Sequence, residues 1–129
     1  MEEKEIWLEE ESGQNRLLAA QVRLADSFWP RLKGLLGTAA LPEGQGLLLR
    51  PCNSVHTFGM QYALDVVFLD SSWGIRKIVP DLASWRGACC WGAAAVLELP
   101  AGTAHRQDLK VGQQLRCSQP ACVRTVKHG

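Results

Sequence analysis

Along most of this chain apolar and polar positions alternate with the period of a strand, and only one interval carries the spacing of a helix. From Leu17 to Leu24, Leu18, Ala20, Val22 and Leu24 fall on one face and Leu17, Ala19, Gln21 and Arg23 on the other, which predicts a strand. An acidic opening carrying Ile6, Trp7 and Leu8 comes before it. Asp26 and Ser27 then offer N-caps, Pro30 fits only a first turn, and Phe28, Leu32, Leu35 and Leu36 recur at helical spacing before Gly37, so one short helix is predicted near residues 27–36. Gly46 to Arg50 reads as a strand stopped by Pro51. Val66 to Leu69 is an unbroken β-favouring run closed by Asp70, Ser71, Ser72 and Gly74, and with Ile75 to Val79 it predicts a hairpin that ends at Pro80.

Residues 81–92 read as an irregular loop. Ala94 to Leu99 predicts another strand, with a turn at Pro100 to Thr103, and Leu115 to Cys117 one more. Residues 118–129 read as a frayed tail with a weak strand at Val123 to Val126. Six or seven short strands and one helix imply a mainly β domain, α+β at most, built as a small barrel or a sandwich.

Composition sharpens this picture in three ways. At 129 residues, 47% of them apolar, the chain fits a single domain with one modest core. A formal charge of +1 with interspersed signs argues against nucleic acid or an anionic membrane as partner, leaving a small molecule or a protein. Five cysteines, an odd number with Cys89 and Cys90 adjacent, and an acidic rather than basic-apolar start predict a reducing, cytoplasmic protein with free thiols.

Chemistry concentrates between Cys52 and Asp70, where a thiol, an imidazole, a thioether and a carboxylate sit in apolar sequence. Cys52, His56 and Met60 are four residues apart; in extended chain four residues span about 13 Å, too far for three ligands of one ion without a bend, so Cys52 and His56 are weak metal candidates and no metal is expected. Cys89, Cys90, Cys117 and Cys122 lack paired zinc-ligand spacing. No phosphate loop, dinucleotide fingerprint or nucleophile elbow occurs, and no cofactor is expected.

Four segments, FWPRLKGLLG from Phe28, HTFGM from His56, LDVVFLD from Leu64 and VLELPAG from Val96, together resemble the uncharacterised prokaryotic family called domain of unknown function 192, over about residues 22–116. The matching positions are Arg31, Gly34 and Leu35; Phe58, Met60, Leu64 and Asp65; and Leu97, Glu98 and Gly102. The chain departs from the family pattern at two places: Gln61-Tyr62 stands where Asn-Thr is usual, and Gly112-Gln113 where Gly-Asp is. The resemblance implies a compact β-rich fold and names no substrate.

These readings lead to a non-enzymatic accessory module that binds a ligand or a protein. Its candidate pocket is formed by Arg31, His56, Phe58, Met60, Asp65 and Trp85, with Trp29 as a further wall. The competing expectation is a small hydrolase or metal-dependent enzyme using His56 with Cys52 or Asp65. Alongside these stand two purely structural expectations: His56 bonded to Asp65, and Arg31 paired with Asp65 or Glu98.

Overall fold

The structure, a computed structural model, describes residues 3–25, 41–56, 62–83 and 86–118, with backbone alone for Ala25 and His56. The strands are β1 (Glu3–Glu9), β2 (Asn15–Ala25), β3 (Gln45–Leu49), β4 (Ser54–His56), β5 (Leu64–Leu69), β6 (Ile75–Leu82), β7 (Gly87–Cys89), β8 (Ala95–Pro100) and β9 (Leu115–Ser118), with one helical turn, α1 (Thr103–Arg106), between the last two. The predicted helix near residues 27–36 and the weak strand at Val123 to Val126 lie outside the described residues.

Seven strands form a mixed sheet in the order β6-β5-β8-β3-β2-β1-β9, and β4 with β7 forms a separate ribbon. Every pairing is antiparallel except β2 with β3. A parallel neighbour needs a crossover connection, which the interval between Ala25 and Gln45 is long enough to supply. The alternation in β2 appears as predicted: Leu18 and Val22 are buried and Leu17 is exposed, while Ala19 is turned inward beside the register slip opposite Ile6 and Trp7.

The sheet is covered on both faces. One carries Ile6, Leu8, Val22, Leu48, Val67, Leu69, Leu97 and Leu99, closed by Ala104 and Leu109. The other carries Leu64, Val66, Phe68 and Val96 beneath Val55 and Ala88 of the ribbon. Consequently all six residues of β5 are buried, as its continuous apolar run requires.

The structure corrects the predictions at three places. The sheet is not a closed barrel. Its two edges meet at one corner, where the Ile75 N–H donates to the Gln113 carbonyl (2.8 Å) and the Leu115 N–H to the Trp73 carbonyl (3.0 Å). Beyond that corner β6 carries Pro80, which has no N–H to continue a ladder, and β9 is only four residues long. Pro80 does not end β6. An edge strand tolerates proline, and the strand runs on to Leu82 through a bulge, since Val66 faces Val79 while Leu64 faces Leu82. The stretch 81–92 is not wholly irregular either, because Gly87–Cys89 pairs with Ser54–His56.

Candidate functional site

Two carboxylates enter the sheet from neighbouring strands and arrive on opposite faces. Asp65 pairs with Leu99, and Val66 with Glu98, so the period of two sends Asp65 to the face of Val67 and Leu97 and Glu98 to the face of Val66 and Val96.

Asp65 is fully buried, and both its oxygens are occupied by backbone donors. Oδ1 accepts the Asp81 N–H at 2.8 Å, filling the ladder position opened by the bulge after Pro80, where Asp81 has φ 55°. Oδ2 accepts the Ala104 N–H at 2.7 Å. That amide belongs to the first turn of α1, whose N-cap, Gly102, supplies no side-chain oxygen. Asp65 therefore caps α1 from across the core and ties it to β6.

Glu98 has different surroundings. It is 8% exposed, and its cross-strand neighbours on that face are the apolar Val66 and Leu47. Among the described residues no hydrogen bond or ion pair reaches its carboxyl group. Burial pushes its pKa from 4.5 up to about 7, so near neutrality the group is divided between its acid and carboxylate forms.

Tyr62 and Cys52 both pack against this face. The Tyr62 hydroxyl is buried and, among the described residues, has no hydrogen-bond partner. Burial raises its pKa, and the charge of Glu98 adds to the rise. The Cys52 thiol donates to the Ser54 carbonyl at 3.0 Å. Burial pushes this thiol up as well; the Ser54 backbone opposes the shift and Glu98 reinforces it. The cluster thus combines a buried acid, an unpaired hydroxyl and a protonated thiol.

The ribbon forms its roof. Val55 lies opposite Ala88 and His56 opposite Gly87, and the Cys90 N–H donates to the Asn53 carbonyl at 2.9 Å. His56 is therefore held by backbone pairing on the ribbon side of the sheet, and Asp65 is on the other side. Arg31, Phe58, Met60 and Trp85, like Trp29, lie outside the described residues. Among the described residues, no group of three His, Cys, Asp or Glu side chains is arranged to hold a metal ion. Two shallow grooves lie away from Glu98: one of about 590 Å³ between Trp7 and Trp73, and one of about 740 Å³ along the β1–β2 hairpin and residues 108–114.

Sequence reasoning named Glu98 as an ion-pair partner and not as a site residue, and it noted Tyr62 only as a departure from the family pattern. The available signal was an acid at an inward register position within AVLEL, on a strand whose apolar run leaves no polar face.

A family model described as "Uncharacterized ACR", domain of unknown function 192, matches residues 9–117. A UPF0127 protein from Thermococcus sibiricus (strain DSM 12597 / MM 739) is 31% identical over 108 residues, covering 78% of this chain and 68% of that protein. Among solved structures, a Sinorhizobium meliloti 1021 protein provisionally described as a transcription regulator aligns with a TM-score of 0.76 at 24% identity, covering 89% of this chain and 93% of the other. A protein of unknown function from Novosphingobium aromaticivorans DSM 12444 aligns with a TM-score of 0.72 at 20% identity, covering 87% and 83%. At these identities the two structures share the fold with this chain.

Proposed function

The chain belongs to the domain of unknown function 192 family, whose description carries no activity, and from that premise we propose that it is a non-catalytic binding module whose pocket lies on the Glu98 face beneath the β4–β7 ribbon. The observation that carries this reading is the buried Tyr62 hydroxyl, left without a partner among the described residues on the same face as the buried Glu98. An unpaired buried polar group costs about 1–3 kcal/mol, and a ligand offering a complementary group to the hydroxyl and the acid recovers that cost.

Chain connectivity supports a role for the remaining candidates. Phe58 and Met60 lie in the segment leaving His56, and Trp85 lies in the segment entering Gly87. Because His56 and Gly87 face each other, both segments start from the same end of the ribbon. In this reading Arg31, His56, Phe58, Met60 and Trp85 are the residues proposed to recognise the ligand, and Asp65 fixes the scaffold from the opposite face. The thiol-enzyme alternative is weaker, because a nucleophilic cysteine works as thiolate, whereas burial holds Cys52 protonated. We place the protein in a reducing, cytoplasmic setting where Cys52 and Cys90 act as small packing groups. Its partners are small molecules or proteins. The near-neutral charge offers little to nucleic acid, and no helix among the described residues is long and apolar enough to cross a membrane.

Native mass spectrometry of protein purified near neutral pH tests the proposal. The wild type is expected to carry a bound mass that Glu98→Gln and Tyr62→Phe lose, and His56→Ala is expected to lose it while changing stability by less than about 0.5 kcal/mol. A bare polypeptide mass for the wild type, with no thermal stabilisation by any member of a panel of small polar metabolites, contradicts it.

A further inference from the structure

We propose that the turn joining β7 to β8, with Trp91 at its tip and Arg76 and Lys77 beside it, is a docking surface for an acidic segment of a partner protein. Trp91 is 83% exposed and presents a large aromatic surface of the kind that anchors protein interfaces. The backbone that carries the indole is fixed by a tight turn. The Ala93 N–H donates to the Cys90 carbonyl at 3.1 Å and Gly92 has φ 91°, so Trp91 occupies the second position of a tight four-residue turn with glycine third.

The two cations are aimed at this turn by a register slip. Phe68 faces Lys77 while Leu69 faces Ile75, leaving Arg76 as the extra residue of a bulge. The Arg76 guanidinium lies flat on the turn: a Cβ at Gly92 would stand 3.1 Å from Nη2 and 3.3 Å from Cζ. Lys77 Nζ donates to the Cys89 carbonyl at 2.9 Å and sits 6.0 Å from the Phe68 ring centroid. Among the described residues neither cation has an ion-pair partner. The nearby Asp70 is engaged by the Ser72 and Gly74 N–H groups, and Asp81 lies at the far end of β6.

An exposed indole on a tight turn flanked by two cations without ion-pair partners among the described residues suits a partner that brings carboxylates and an apolar contact. Tryptophan and arginine are the residues that dominate such interfaces, and the cations steer and orient the encounter. Two cations without a continuing basic track are too few to follow a nucleic-acid backbone, and one indole without an amphipathic face is too little to hold a membrane surface.

Fluorescence anisotropy of a labelled peptide of alternating Glu and Leu, against the same peptide with Gln for Glu, tests the proposal. The acidic peptide is expected to bind, and to bind more weakly as salt is raised. Trp91→Ala and the double variant Arg76→Glu/Lys77→Glu are each expected to weaken it about tenfold or more while melting like the wild type. If the charge-reversed pair loses stability, Arg76→Gln/Lys77→Gln replaces it and is expected to show the same loss of binding. Equal binding of the neutral peptide, unchanged binding by the variants, or tighter variant-sensitive binding of oligo-dT or phosphatidylglycerol vesicles overturns the assignment.

Discussion

Asp65 and Glu98 have the same chemistry and nearly the same burial, yet they do different work because of which backbone groups reach them. Asp65 receives two amides and serves as a structural tie. Replacing it by Asn exchanges one acceptor oxygen for a donor that meets an N–H, and is expected to cost about 2–4 kcal/mol in urea unfolding. A loss below about 1 kcal/mol would show that the two amides find other acceptors. That Asp65 needs partners was legible in the sequence from its place at the head of a buried strand. The partners themselves were not, because an amide freed by a bulge and one at an uncapped helix start leave no residue-type signature. Glu98 was harder to identify still: in sequence it stood only as a possible ion-pair partner of Arg31, and its apolar surroundings emerge once the sheet is seen to be covered on both faces.

At the scale of elements, alternation located the strands well and failed where backbone hydrogen bonding overrides composition. β5 and β8 lie where their apolar runs predict. Pro80, by contrast, reads as a stop and is instead carried within an edge strand, and β7, three small residues long, is too short to announce itself outside its pairing with β4. Close packing between elements yields a test of the arrangement around Glu98. Gly46 of β3 brings that strand so near β8 that a Cβ would stand 3.0 Å from the Glu98 carbonyl oxygen and 3.1 Å from Leu99 Cδ2. Gly46→Ala is expected to destabilise by about 1–3 kcal/mol, with the loss reported by chemical denaturation. An unchanged midpoint would mean that β3 and β8 separate readily and that the Glu98 face is looser than described.

For the whole molecule, the rolled sheet ties the buried Asp65 to backbone amides on one face and leaves the buried Glu98 among apolar neighbours on the other, so global stability must respond to the Glu98 carboxyl. The folded-state pKa of Glu98 is raised from 4.5 to about 7. The folded protein therefore binds more protons than the unfolded chain between those values. Its stabilising contribution is fully present below pH 4.5 and is lost as pH rises through about 7, a swing of about 3 kcal/mol. Gln in place of Glu98 imitates the protonated acid and removes this dependence. The most direct measurement is the unfolding free energy of wild type and Glu98→Gln at about pH 5 and about pH 8. The account predicts that the wild type loses about 3 kcal/mol more than the variant over that interval, leaving the variant the more stable at the higher pH. Parallel losses in the two proteins would mean that Glu98 titrates as an ordinary surface carboxylate, and would contradict a buried acid at the centre of the site.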